Sequence, residues 1–117
     1  MELLILLQIK HWYVDFYNQT MDEVRSKGNY GEALGIFHSL KHAVATFYIF
    51  AFINVDIAYI VFILDLFLHY HIDWIKMNFS NQDISTPQFW NHLGLDQMAH
   101  QLCYIGYSYL LLYWSFG

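Results

Sequence analysis

Charge is scarce in this chain. Of 117 residues only 13% are Asp, Glu, Lys or Arg, against roughly 25% in a soluble domain of ordinary composition. Five basic residues against ten acidic ones leave a net charge of −5. No basic stripe is available to follow a phosphate backbone, and nucleic acid is excluded as a partner. Cys103 is the single cysteine, so an intrachain disulfide is impossible and nothing marks an oxidising compartment. Also missing are a Gly-rich phosphate loop, a nucleophile elbow around Ser or Cys, internal repeats and low-complexity linkers. Residues 1–117 therefore read as a single domain. The opening stretch "MELLILLQIKHWYVDF" has neither a basic n-region nor a small-residue cleavage site, and a retained first helix is expected.

What fills the space is apolar: 57% of residues are hydrophobic and 21% aromatic. A soluble core of this size cannot hide so many large side chains. Lipid is expected to cover the rest. Four apolar segments follow in order. The first runs from about Leu3 to Thr20, ahead of "MDEVRSKGNYG", a loop or short amphipathic excursion punctuated by Gly28 and Gly31. A single helix from Glu32 to Met77 would extend about 70 Å at ~1.5 Å per residue, far beyond the ~30 Å of a bilayer core. The chain must turn, and Asn54 to Asp56 is the only polar break, with Asn54 or Asp56 a natural N-cap. The fourth helix starts with Ser85 or Thr86 as N-cap and Pro87 at its first position, and runs to about Trp114. The expected fold is all-α, an antiparallel four-helix bundle integral to a membrane. Arg25 and Lys27 in the first loop and Lys76 beside the third helix place loops 21–31 and 78–87 on the cytoplasmic side. That describes a multi-pass membrane protein.

Polar residues inside such spans are costly, about 2.5 to 3.5 kcal/mol for an Asp at a helix centre. Yet each segment carries two: His11 with Asp15, His38 with His42, His69 with Asp73, and Asp96 with His100. Every pair is spaced four apart, which sets both side chains on one helix face. All four pairs also lie toward the loop end of their helices, so one bundle can bring them to a common centre. Taken singly, a His and an Asp one turn apart are most often a hydrogen-bonded pair or a solvated helix end. Four such pairs at matched depth favour a shared polar centre over a water-filled crevice.

Imidazole and carboxylate donors suit zinc foremost, and also manganese or iron. Eight of them suffice for one or two divalent ions, much as paired Glu and His serve two-metal centres in soluble bundles. Gln19 lies one turn beyond Asp15, Gln97 adjoins Asp96, and Asp65 and His92 extend two stripes by one turn. These four are expected as supporting partners behind the donors. His71 lies about 200° around the wheel from His69 at ~100° per residue, outside the centre. Gly31 and Gly35 fall on the His38 and His42 side of their helix, where backbones could approach closely.

The motifs "HWYVDFYNQ" from His11, "HSLKH" from His38, "HYHID" from His69 and "LDQMAH" from Leu95 resemble, in order, those of the small bacterial and phage membrane proteins grouped as domain of unknown function 3307. That family is similar in pattern to the membrane-bound metal-dependent hydrolases. The resemblance implies hydrolysis at a metal centre held by the four pairs, in a bacterial inner membrane, and the placement of the pairs at the cytoplasmic interface suggests a lipid-linked or other phosphoester substrate. The alternative is a non-catalytic module, stapled by metal and binding a protein partner or a second copy, as a phage-encoded envelope modulator would. Ion transfer is a third class, weakened by apolar far halves such as "FYIFAFI" and "IAYIVFI".

Overall fold

In the computed structural model, residues 2–80 and 82–116 are described, the last two by backbone alone, and Asn81 of the second loop lies outside that description. The regular structure among the described residues is entirely helical: α1 (Glu2–Trp12), a π-helical turn (Tyr13–Tyr17), α2 (Met21–Ser26), α3 (Ala33–Ala51), α4 (Val55–Phe79) and α5 (Pro87–Phe116). The all-α expectation holds, with five helices in place of four.

Local chemistry explains the boundaries. Asn54 caps α4, its side-chain oxygen accepting from the amides of Asp56 (3.0 Å) and Ile57 (3.3 Å), which satisfies donors a helix start leaves over. Thr86 accepts from Phe89 N at 3.3 Å, and Pro87 opens α5, where its missing N–H costs nothing. The first segment departs from expectation. It ends at Tyr17 after the π turn, and Thr20 then caps the separate helix α2 by accepting from Glu23 N at 3.1 Å.

Helix α3 packs on α4 through the Asn54 turn, α4 on α5, and α1 on both α3 and α5, so these four enclose a common interior. Toward the Asn54 end that interior is apolar, built from Leu7, Phe50, Ile57, Ala58, Val61 and Leu111 with the rings of Tyr104 and Tyr107. Toward the other end it is polar. Among the described residues, fifteen polar or charged side chains are buried against ten apolar ones.

Short α2 lies across the polar end against α3. A Cβ built on Gly35 would stand 2.9 Å from the backbone oxygen of Ser26, while Gly35 N donates to Ser26 Oγ at 2.8 Å. The close approach expected of this glycine is therefore to α2. Gly31, expected on the same helix face, instead precedes α3 with φ of 84° and serves the turn.

Only α4, among the described residues, is long and apolar enough to cross a membrane by length and composition. Four such spans were expected. The polar side chains that converge inside, such as His38, Lys41 and His42 on α3, lower the mean hydropathy of the helices that carry them, and α1 is only 11 residues long.

Replacing Gly35 by Ala should destabilise the protein by about 1–3 kcal/mol, because the obstructing atom is backbone. Gly106→Ala, whose Cβ would meet nothing within 4 Å, should instead stabilise α5 by up to ~1 kcal/mol. Thermal unfolding of the two variants tests the sign of each effect, and equal behaviour would remove the close α2–α3 approach.

Candidate metal centre

The π turn places Asp15 at the middle of the polar layer. Its Oδ1 lies 2.8 Å from Nε2 of both His38 and His42 and 3.8 Å from Nε2 of His69, while Oδ2 is 3.2 Å from Nδ1 of His11. One carboxylate thus gathers imidazoles from α1, α3 and α4. Asp73 does the same from the other side. Its Oδ2 is 3.2 Å from His69 Nε2 and 3.8 Å from His38 Nε2, and its Oδ1 is 3.2 Å from His100 Nε2. The rings of His42, His69 and His100 stack in a row, with centroids 3.7 and 4.1 Å apart.

Two donor sets emerge, Asp15 with His38, His42 and His69, and His69 with Asp73 and His100. In each, the ligand atoms lie within 4.8 Å of one another and every residue is buried. Tetrahedral ligands about 2.0–2.1 Å from zinc stand roughly 3.3–3.4 Å apart, and the carboxylate–imidazole spacings of 2.8 to 3.8 Å lie within about half an ångström of that. Nδ1 and Nε2 of His69, Asp73 Oδ2 and Asp96 Oδ1 are buried without a hydrogen bond in the described structure, the last three having only ion-pair contacts at 3.2 to 3.8 Å. Such groups cost about 1–3 kcal/mol each when left unmade. A cluster of orphaned donors of metal-binding type fits an ion between them. His38 is further prepared, since its Nδ1 lies 3.1 Å from Glu23 Oε2, the carboxylate support typical of a metal-binding imidazole.

Not every expected residue joins a donor set. His11 shares Asp15, but its Nδ1 also lies 2.9 Å from the Tyr104 hydroxyl and its Nε2 2.5 Å from Gln97 Oε1. Asp96 reaches the edge, with Oδ1 3.4 Å from His100 Nε2. Gln97 does stand behind the centre, donating to Asp96 Oδ2 at 3.1 Å as it contacts His11. Gln19 was expected one helical turn beyond Asp15, and the end of the helix at Tyr17 changes its geometry. It folds back to donate to the Asp15 carbonyl at 2.6 Å and accepts from Lys27. Asp65 sits one turn nearer the Asn54 end, where it accepts from Thr46 at 2.7 Å and Tyr107 at 3.2 Å, with Lys10 Nζ 3.6 Å away. His92 lines a groove beside Asp96 and belongs to neither set. His71 stays outside, its Nδ1 donating to the Phe67 carbonyl at 2.7 Å.

Sequence reasoning missed three charged residues. Lys10 is buried and approaches His42 Nδ1 at 3.1 Å, while donating to Tyr104 at 3.0 Å. Its signal was the same as that of the histidines, an ionisable group inside an apolar segment. Lys27 turns inward from the start of the first loop, with Nζ 3.4 Å from Asp73 Oδ2 and 3.9 Å from Asp15 Oδ1. Glu23 on α2 reaches over His38 and binds Lys41 at 2.9 Å. Burial pushes its carboxyl up, but hydrogen bonds with Lys41 and His38 outweigh that and hold its pKa below the ordinary carboxylate value.

The molecule is thus an all-α protein with buried His and Asp groups positioned to hold a metal ion. Residues 3–115 match the family model described as "Protein of unknown function (DUF3307)", and the chain belongs to that family. No curated protein and no solved structure matches it.

Asp65→Ala would leave Lys10, Thr46 and Tyr107 facing an uncompensated cavity. A loss of about 3–5 kcal/mol is expected on removing one side of a buried pair, and the double variant Lys10→Met with Asp65→Leu should recover most of it. A thermodynamic cycle over the unmodified protein, Lys10→Met, Asp65→Leu and the double variant measures the coupling, and additive losses would show that the pair does not act as one.

Proposed function

We propose that this protein is a metal-dependent hydrolase of the bacterial inner membrane, with zinc, or else manganese or iron, held among four antiparallel spans. The observation that carries the proposal is the sharing of His69, neither of whose buried ring nitrogens has a hydrogen bond among the described residues, by two buried donor sets. Asp15, His38 and His42 would hold one ion, and Asp73 and His100, completed by Asp96, would hold a second, with His69 serving one of them. When bound, a divalent metal supplies Lewis acidity, activating water for attack near neutral pH and polarising a phosphoryl or acyl oxygen.

This chain's own groups cover the other requirements. Asp15, Asp73 and Asp96 offset cationic charge in a low-dielectric interior. Asp96 Oδ1 is the carboxylate atom placed at the edge of the centre to accept a proton. Lys27 brings an ammonium over the second donor set, where it can stabilise negative charge as it develops on the substrate.

The surface supports the membrane part. Large apolar side chains face outward along the helices, including Ile63, Phe67, Leu102 and Tyr109, while the interior away from the Asn54 turn is polar. Such inversion suits a hydrocarbon solvent, in which helices cover their own backbone groups and ionisable residues turn inward. Loops 21–31 and 78–87 are assigned to the cytoplasmic side on Arg25 and Lys76. Lys27, first counted with them, is engaged in the centre.

Elemental analysis of the full chain purified in detergent tests the proposal. One or two equivalents of zinc are expected, falling below one in His69→Ala and His38→Ala, and no stoichiometric metal in the unmodified protein sinks it. Glu23→Gln, which removes the charge behind His38, should weaken zinc binding 10–100-fold, measured by competition with a chelator, while leaving the helix content by circular dichroism unchanged.

A further inference from the structure

Between the second half of α4 and the first half of α5 lies a groove of about 310 Å³, within the range of small-molecule sites. It follows residues 72, 75, 76 and 79 on one helix and 92, 95, 96 and 99 on the other. Each set is one face of its helix at i, i+3, i+4 and i+7. Ile72, Ile75, Phe79 and Leu95 make its walls apolar, and three of them, Ile75, Phe79 and Leu95, are exposed on the outer surface.

Two features set this groove apart from an ordinary crevice. Lys76 is its one lysine, part-exposed and forming with Asp96 Oδ2 an ion pair whose 3.9 Å separation is too long for a hydrogen bond. Asp96 forms part of its inner wall, and behind that wall its buried Oδ1, which has no hydrogen bond, lies 3.4 Å from His100, so the groove ends against the second donor set. An apolar channel open along the side of the helices, with a cation and the edge of the centre at its inner end, matches a molecule that has an anionic head and an apolar tail.

We infer that the α4–α5 groove admits an anionic amphiphile carrying a phosphate head, with Lys76 holding the head beside Asp96 and the Ile75, Phe79 and Leu95 walls holding the tail. The geometry selects the lipid-like form over free phosphate, because an inorganic anion gains nothing from apolar walls. This names the substrate class of the hydrolase proposed above and rests on that reading for its catalytic meaning, although the binding itself stands on the groove.

The test uses the full chain in phosphatidylcholine nanodiscs, with zinc content measured alongside titration by dodecyl phosphate, inorganic phosphate and dodecyltrimethylammonium. Saturable binding of dodecyl phosphate is expected, at least tenfold tighter than either control. Lys76→Met should weaken it about tenfold and Ala99→Trp, which fills the groove, should abolish it, both with unchanged zinc content and helicity. Leu95→Ala serves as a second groove variant should Ala99→Trp misfold, and a three- to tenfold loss is expected there. Equal binding of inorganic phosphate, or dodecyl phosphate binding indifferent to Lys76 and to the groove variants, overturns the inference while leaving the metal centre standing. Lys76-dependent dodecyl phosphate binding by a protein that retains no zinc upholds the groove and overturns the metal reading instead.

Discussion

Two buried carboxylates organise this molecule. Asp15 and Asp73 between them contact imidazoles from all four of the long helical elements. An isolated carboxylate in such surroundings costs several kcal/mol to desolvate. The positions of the helices are accordingly those that surround each carboxylate with donors. The glycine at Gly35, the turn at Gly31 and the capping of α2 by Thr20 all serve the same end, because they bring Glu23 and Lys27 over the top of the layer.

A second constraint follows from where the polar groups sit. The interior near the Asn54 turn is held by ordinary apolar packing, and the interior at the other end by charge and hydrogen bonds. The two zones meet at Tyr104, whose ring joins the apolar cluster while its hydroxyl contacts Lys10 and His11. Lys10 and Asp65 extend the polar network one turn past the donor sets. Beyond them the helices face one another through aliphatic and aromatic side chains, consistent with a centre reached from one end and one side.

Much of the candidate centre was legible because it is written in local spacing. A four-residue separation means a shared helix face whatever the fold, so the pairs on α3, α4 and α5 could be recognised at once. The caps at Asn54 and Thr86 were legible for the same reason, since a cap depends on three or four consecutive residues. The first segment resisted where that rule is broken locally. The π turn alters the angular step per residue, so the stripe from His11 through Asp15 does not continue to Gln19. Lys27 and Glu23 were hidden by their place in a polar loop, where a charge ordinarily faces solvent. The hydropathy of α3 is also diluted by His38, Lys41 and His42, and α1 is short, so that among the described residues α4 alone stands out by length and composition.

The sequence by itself determined the helical segments that became α3, α4 and α5, the turn at Asn54 and the helix faces on which their imidazoles and carboxylates stand, because each follows from contacts within a few residues. Only the tertiary structure decided that His69 is common to two donor sets, that His11 turns to Gln97 and Tyr104, that Lys27 points inward and that a groove opens beside Asp96. Those outcomes depend on the height and rotation of each helix against its neighbours, and both are set by long-range packing that leaves no mark in the local pattern.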